Sequence, residues 1–281
     1  MASTNELSVF TLEAVGGYLT ARLTHPLSEC PDCGGSGVLR TTTQRNGREY
    51  EVLAPCPRAR LERRAVGFNQ ARLPAVAARA TLDSYKKAGA AQHRAIEVAR
   101  GFALGWPKDR GFLLSGPVGT GKTHLLCATL KHLSLERGVN VAYVELSHLY
   151  SQIRRGFNEG KSGGEIIGPL SQVEVLAIDE LGKGRGSQFE LETLDELIAR
   201  RYNAQKVTLF ATNYSLKSPE ERAQRGYFGT ETALEAGKDS KLLCDRVGDR
   251  IYSRLCEMCE FVEFPLNTPD ERRGRDLPKT T

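Results

Sequence analysis

The pattern of apolar positions is loose up to about Ala80 and changes character at Thr81, and the change divides the chain. Leu7, Phe10, Leu12, Val15 and Leu19 form a loose stripe that predicts a short helix over residues 5–23. Residues 25–58 read as Cys- and Gly-rich loops around one short extended piece, Tyr50-Glu-Val-Leu. A basic helix is expected from Pro57 to Gln70, and Pro74 with the Ala-rich stretch behind it reads as a connector.

From Thr81 helical patterns alternate with short β-rich runs, the signature of parallel βαβ units. Helices are predicted at 89–104, 121–137, one or two between 146 and 171, 187–203 and 240–257. Strands are predicted at 111–115, 139–144, 173–178, 206–212 and 260–264. The organisation that follows is an N-terminal Cys- and Arg-rich segment (1–80), an α/β domain (81–268) and a polar tail (269–281).

Composition narrows the class. With 40% hydrophobic and 26% charged residues the chain is ordinary for a globular protein. No apolar run approaches the roughly 20 residues that span a bilayer. Met1-Ala-Ser-Thr-Asn-Glu lacks the basic start of a signal peptide, so the expected setting is cytoplasmic. The net charge of +5 does not by itself imply nucleic acid, but its distribution is uneven. Eight arginines lie between Arg40 and Arg72, against Glu49, Glu51 and Glu62, and the first lysine is Lys86. Such a segment suits bidentate contact with phosphate or carboxylate, or is a solvated face. Seven cysteines, an odd number with no export signal, point to thiols or metal ligands rather than disulfides.

The chemistry sits on the strand ends. Gly116, Pro117, Val118, Gly119, Thr120, Gly121, Lys122 and Thr123 match G-x-x-x-x-G-K-[ST] in full, between the strand Phe112-Leu-Leu-Ser and a helix that continues with His124. Glycines let backbone N–H groups curl around phosphates, the helix N-terminus adds partial positive charge, and Lys122 adds a full one. The Thr123 hydroxyl is a magnesium ligand in such loops. The strand Val173-Glu-Val-Leu-Ala-Ile ends in Asp179 and Glu180. Asp179 is placed to hold hydrated Mg²⁺, and Glu180 to act as general base for an attacking water. The next strand ends at Asn213, which would meet the γ-phosphate or that water if the strands are parallel.

Together with a late Asp249-Arg-Ile-Tyr-Ser-Arg254 run, these motifs resemble an AAA+ ATPase: a three-layer sandwich on a central parallel sheet. More narrowly the chain resembles the DnaC/DnaI-type replicative helicase loaders and the IstB-type transposition ATPases, over roughly residues 73–264. That stretch runs from Ala80-Thr-Leu-Asp-Ser-Tyr85 to Arg254-Leu-Cys-Glu-Met-Cys-Glu-Phe-Val262. The resemblance implies an arginine finger acting in trans, with Arg254 first and Arg250 second, so that hydrolysis depends on self-association. It implies single-stranded DNA contact through the stretch carrying Tyr150, Arg154, Arg155, Phe157 and Lys161, whose basic and aromatic mixture suits phosphates and bases. It also implies a helicase-docking N-terminal segment. Only a short polar tail follows Phe264, so no C-terminal lid domain is expected.

Cys30-Pro-Asp-Cys33 with Cys56 suggests a zinc knuckle, with His25 as the candidate fourth ligand; a degenerate site and a redox pair are the alternatives. Related proteins close such sites with a C-x-C pair, and here Arg58 breaks that pattern. Cys256 and Cys259 read as core packing. The function expected is an ATP-dependent loader that binds the replicative helicase and single-stranded DNA. Its rivals are an IstB-like ATPase acting on duplex DNA with a transposase, a small-molecule kinase, and a nucleotide-gated interaction protein with negligible turnover.

Overall fold

The computed structural model describes residues 9–184, 187–216 and 242–271. Strands β1 (Phe10–Val15) and β2 (Tyr18–Leu23) form an antiparallel hairpin, turned at Gly16 and Gly17 with φ 57° and 84°. The helix expected over 5–23 is therefore not formed where the chain is described; residues 5–8 lie outside it. Leu19, Ala21 and Leu23 are buried in alternation with their neighbours, a period of two rather than 3.6. Two glycines in the left-handed region are a turn that L side chains rarely adopt.

A second hairpin, β3 (Val38–Arg45) and β4 (Arg48–Pro55), turns at Asn46-Gly47. Only part of β4 was legible as extended, because β3 carries the polar run Arg40-Thr-Thr-Thr-Gln-Arg45 and offers no apolar alternation. Helix α1 (Pro57–Gln70) follows at the expected bounds, with Pro at its first position and Ala65 and Phe68 buried. A 3₁₀ turn, Ala75–Arg79, is pinned by Lys131, whose Nζ donates to Ala78 O and Ala80 O at 2.9 and 2.8 Å.

Next come α2 (Ala90–Leu104), β5 (Gly111–Ser115), α3 (Lys122–Lys131) with a π turn at His132–Glu136, and β6 (Val141–Glu145). Then follow α4 (Leu146–Asn158), α5 (Gly163–Gln172), β7 (Val175–Asp179), α6 (Gln188–Asn203), β8 (Val207–Thr212), α7 (Leu243–Val247), α8 (Asp249–Met258) and β9 (Cys259–Glu263). The single helix expected near 240–257 is two, because Gly248 at φ 81° breaks it; residues 240 and 241 lie outside the described chain.

Strands β5 to β9 make a five-stranded sheet in the order β6-β7-β8-β5-β9, parallel at every pairing. Side chains alternate across it. Phe112, Leu114, Val175 and Ala177 face one core with α1, α2, α3 and the β1–β2 hairpin. Leu113, Leu176, Ile178 and Phe210 face the other with α4, α6 and α8. Each buried Val, Leu, Ile or Phe among them contributes about 1.5–3 kcal/mol, and a one-residue slip would exchange the two sets. Register is thus fixed from both faces, and the expected α/β sandwich is present. Arg201 is the largest of the fully buried side chains. Its guanidinium donates to Leu170 O, Val173 O and Thr208 Oγ1 at 2.8, 3.0 and 2.9 Å, tying α6 to the α5–β7 turn and to β8.

Candidate active site

In a parallel sheet the carboxyl ends of the strands share one edge, and polar residues placed there converge. Ser115, Glu145, Asp179 and Thr212 end β5, β6, β7 and β8. The loop after β5 turns through Gly116, Gly119 and Gly121 at φ 138°, 79° and 86° before α3 begins. Gly121 is also crowded: a Cβ there would sit 2.6 Å from Tyr85 Cε2, and the Tyr85 hydroxyl donates to Thr120 O at 2.9 Å. Lys122 Nζ reaches back to Gly116 O and Pro117 O at 2.8 and 2.7 Å, so its charge is held over the mouth of the loop. His124 Nε2 lies 2.8 Å from Thr81 O, with its ring beside Tyr85, and fixes the first turn of α3 from outside.

The loop lines a cavity of about 1000 Å³ with Val118, His124, Asp179, Glu180 and Asn213. Thr123 Oγ1 donates to Asp179 Oδ2 at 2.6 Å, and the Tyr143 hydroxyl donates to the same oxygen at 2.8 Å. Two hard oxygens side by side beneath the phosphate loop fit Mg²⁺, which takes few protein ligands and keeps its waters. The chain thus brings together the loop, both predicted magnesium ligands, the predicted base and Asn213.

Glu180 adopts φ 56°, a left-handed conformation costly for a residue with a Cβ. The conformation is held by its own N–H on Asp179 Oδ1 at 2.8 Å and by Leu181 N–H on Ala211 O at 2.8 Å. Burial pushes the Glu180 carboxyl above the ordinary carboxylate value, and the adjacent Glu145 adds to the rise against the opposing pull of Lys183. Burial also works against ionisation of Glu145, but the hydrogen bonds of Ser147 and Glu180 outweigh it and draw Glu145 down. The pair therefore separates into one carboxylate ionised early and one held late. Lys183 forms an ion pair with Glu180, and Arg246 donates to Gly182 O at 3.0 Å and to Gly184 O, clasping the loop that carries Lys183.

Glu145, Tyr143, Lys183 and Arg246 were not singled out in the sequence. Glu145 and Tyr143 were accessible through the rule that parallel strand ends converge; Arg246 lies in a stretch with no local signal. The segment after β9 also returns to the loop. Glu271 N–H donates to Gly119 O at 3.2 Å and its carboxylate pairs with Lys86 at 2.9 Å. A Cβ at Gly119 would lie 1.8 Å from Asp270 Oδ1, so this approach admits only glycine.

The remaining predicted residues lie elsewhere. Arg254 Nη1 is bound to Asp195 Oδ1 at 2.7 Å, and Arg250 Nε, more exposed, lies 3.6 Å from the same oxygen. On α4, Arg154, Arg155 and Phe157 are exposed, as is Lys161 in the following turn; Arg154 lies 3.5 Å from Glu190 and Lys161 2.7 Å from Glu159. Tyr150 departs from the expectation of a stacking surface. It is 4% exposed, because the Leu146–Leu149–Ile153 stripe that turns α4 onto the sheet takes it into the core. Cys30, Cys33 and Cys56 converge with their sulfurs all within 4.8 Å of one another. Desolvation acts to raise the Cys33 thiol, but the Gly37 backbone and the neighbouring thiols outweigh it and bring it down. Three sulfurs fit three of the four positions of a structural zinc site. His25 is exposed and does not join them. Cys259 is buried, as expected, whereas Cys256 is exposed on α8.

This sheet order, phosphate loop and acidic strand end define a P-loop nucleotide-binding protein of the AAA+ class. The family model described as "IstB-like ATP binding protein" matches residues 51–225, and the chain belongs to that family. It is similar to the replicative helicase loader DnaC of Escherichia coli (strain K12), 28% identical over 152 residues, or 53% of this chain and 62% of that protein. The DnaC of Buchnera aphidicola subsp. Baizongia pistaciae (strain Bp) is 31% identical over 125 residues, 43% of this chain and 50% of that one. The chain thus spans about half to 62% of the curated relatives' length. Among solved structures, that of the DnaC helicase loader aligns with a TM-score of 0.55 and 28% identity, covering 67% of this chain and 98% of that one. The structure of DnaI aligns with a TM-score of 0.51 and 22% identity, covering 71% and 94%, a likeness of fold. Among the described residues no helix is long and apolar enough to cross a membrane.

Proposed function

We propose that the chain is an ATP-hydrolysing DNA replication protein, a loader that binds the replicative helicase and single-stranded DNA and turns over ATP within a cytoplasmic oligomer. The observation that carries the reading is the Thr123–Asp179 contact at 2.6 Å beneath the phosphate loop, with a partly buried Glu180 beside it. ATP seats its β- and γ-phosphates on the amides of Gly119 to Thr123 and exchanges the Lys122 contacts with Gly116 and Pro117 for phosphate oxygens. Thr123 and Asp179 would hold Mg²⁺, which would offset the negative charge of the phosphates. Glu180 accepts the proton of the attacking water, Asn213 orients that water, and Arg254 of a neighbouring subunit meets the developing charge. The exposed Arg154, Arg155, Phe157 and Lys161 supply the single-strand contact. The likeness to DnaC supports the helicase as partner.

A second reading, a transposition ATPase acting on duplex DNA with a transposase, is favoured by the family match over residues 51–225. Affinity capture with Glu180→Gln, ATP and Mg²⁺ separates the two. A captured hexameric helicase supports the loader; a transposase without helicase moves the protein to the second reading. Lys122→Ala, which should not bind ATP, is the control, and capture that survives it removes nucleotide from either mechanism.

A further inference from the structure

The β3–β4 ribbon takes no part in the nucleotide site, and its two faces differ. Opposed residues of an antiparallel pair share a face. One face therefore carries Leu39 with Ala54, Thr41 with Val52, Thr43 with Tyr50, and Arg45 with Arg48 at the tip. The other carries Arg40 with Leu53, Thr42 with Glu51, and Gln44 with Glu49. Both acids of the ribbon thus lie on the second face, where Arg40 lies 3.6 Å from Glu51. On the first face Arg45 and Arg48 stand directly across from each other around Asn46-Gly47. Neither side chain has an ion pair or hydrogen bond among the described residues. Two like charges in that position repel, and an anion between them removes the cost.

We propose that this face binds duplex DNA, with Arg45 and Arg48 on backbone phosphates and the Thr41, Thr43, Tyr50 and Val52 row turned toward the groove. The dimensions suit it. Eight-residue strands reach about 27 Å at 3.4 Å per residue, and a two-stranded ribbon is one of the two elements the major groove admits. The chemistry suits it as well: a paired cation at the tip, hydroxyls for sugar and phosphate oxygens, and Tyr50, 47% exposed, beside them. A protein partner fits less well, because the exposed apolar side chains are divided between the faces. Leu53, at 68% exposure the most open of them, sits on the acidic side, whereas the unpaired positive charge of the ribbon is on one face alone. The base of the ribbon is firm. Cys56 N–H donates to Gly37 O at 2.9 Å, and the three sulfurs converge beneath it.

The inference does not depend on ATP, so it can fail or stand apart from the loader reading. The test is fluorescence anisotropy of the full chain with a short labelled blunt duplex, without nucleotide, over a salt series. Arg45→Gln/Arg48→Gln should bind at least about tenfold more weakly. Its log–log salt slope should be shallower by about 2, at about 0.9 for each phosphate no longer neutralised. Arg40→Gln, on the opposite face, should bind as the parent does. An unchanged thermal midpoint and unchanged ATP binding show that the double variant is folded. Three results overturn the proposal: no duplex binding by the parent, the same affinity and slope in the double variant, or loss of helicase capture with duplex affinity intact.

Discussion

Arg254 Nη1 lies 2.7 Å from Asp195 Oδ1 in the same chain, and its guanidinium also covers the Tyr202 ring at 5.8 Å. In the single chain the predicted finger is thus parked between α8 and α6. To act in trans it must leave a carboxylate for a phosphate. Both partners are partly exposed, so the pair itself adds about 1 kcal/mol or less, a holding energy that a γ-phosphate exceeds. Arg254→Ala should therefore bind ATP normally and lose assembly-dependent hydrolysis by about 10³-fold, the low end for a finger. Asp195→Asn should bring that hydrolysis on at lower protein concentration. Turnover measured against concentration checks both. Unaltered turnover in Arg254→Ala removes it from the role and leaves Arg250, which faces the same aspartate from 3.6 Å.

The Glu145–Glu180 pair predicts a pH effect with a definite sign. Glu180 works as a base only when ionised, and its folded-state value is raised by burial and by Glu145. Hydrolysis should then fall on acidification through a value above 4.5, the ordinary one for this carboxyl. Replacing Glu145 by Gln removes the charge that contributes to the rise, so the acid limb should move to lower pH while ATP affinity holds. Glu180→Gln should bind ATP and abolish the limb together with the activity. An acid limb that stays in place in Glu145→Gln would show that the pair does not govern the base.

The difference in legibility along the chain has a physical basis. Strands β5, β7 and β8 are buried on both faces, so they appear as unbroken apolar runs that leave little freedom of assignment. The P-loop and Asp179-Glu180 were legible because their chemistry is local in sequence. The two N-terminal hairpins were not, since β3 has only partial burial to impose a pattern, and the stripe Leu7, Phe10, Leu12, Val15 and Leu19 suits a loose helix nearly as well as a hairpin. The glycine pair Gly16-Gly17 was the discriminating signal there. Tyr150 was misplaced for a related reason. Aromatic and basic residues on one helix suggest a stacking surface, yet Leu146, Leu149 and Ile153 set the buried side, and Tyr150 adjoins Leu149 on it. Glu145, Lys183 and Arg246 act through contacts between distant segments, which no single stretch of sequence displays.

The cysteine cluster makes a compositional prediction. Three sulfurs within 4.8 Å bind a thiophilic cation if their protons leave on binding. Purified protein should carry about one zinc per chain, and chelation should loosen the β3–β4 hairpin, whose base the cluster holds, before the ATP site. Metal analysis with hydrogen exchange of residues 38–55 measures both. Less than about 0.2 zinc per chain, in protein whose hairpin amides remain protected, would show that packing alone keeps the sulfurs together.

Arg201 makes the stability prediction. Its guanidinium is wholly inaccessible, and burial draws it down to about 9, so it remains charged at neutral pH. Among the described residues no carboxylate pairs with it; backbone carbonyls and Thr208 accept from it, and each would lose its partner if the fork were removed. A buried acceptor left without a donor costs about 1–3 kcal/mol, and several are involved. Arg201→Met, which keeps much of the volume, should therefore cost about 3 kcal/mol or more. Arg201→Lys should recover little, because a single ammonium cannot span acceptors on three segments. Urea unfolding with an unchanged slope measures the loss. A cost below about 1 kcal/mol for the methionine variant would mean that the freed carbonyls find water, and that the turn joining α5 to β7 is more open than its burial indicates.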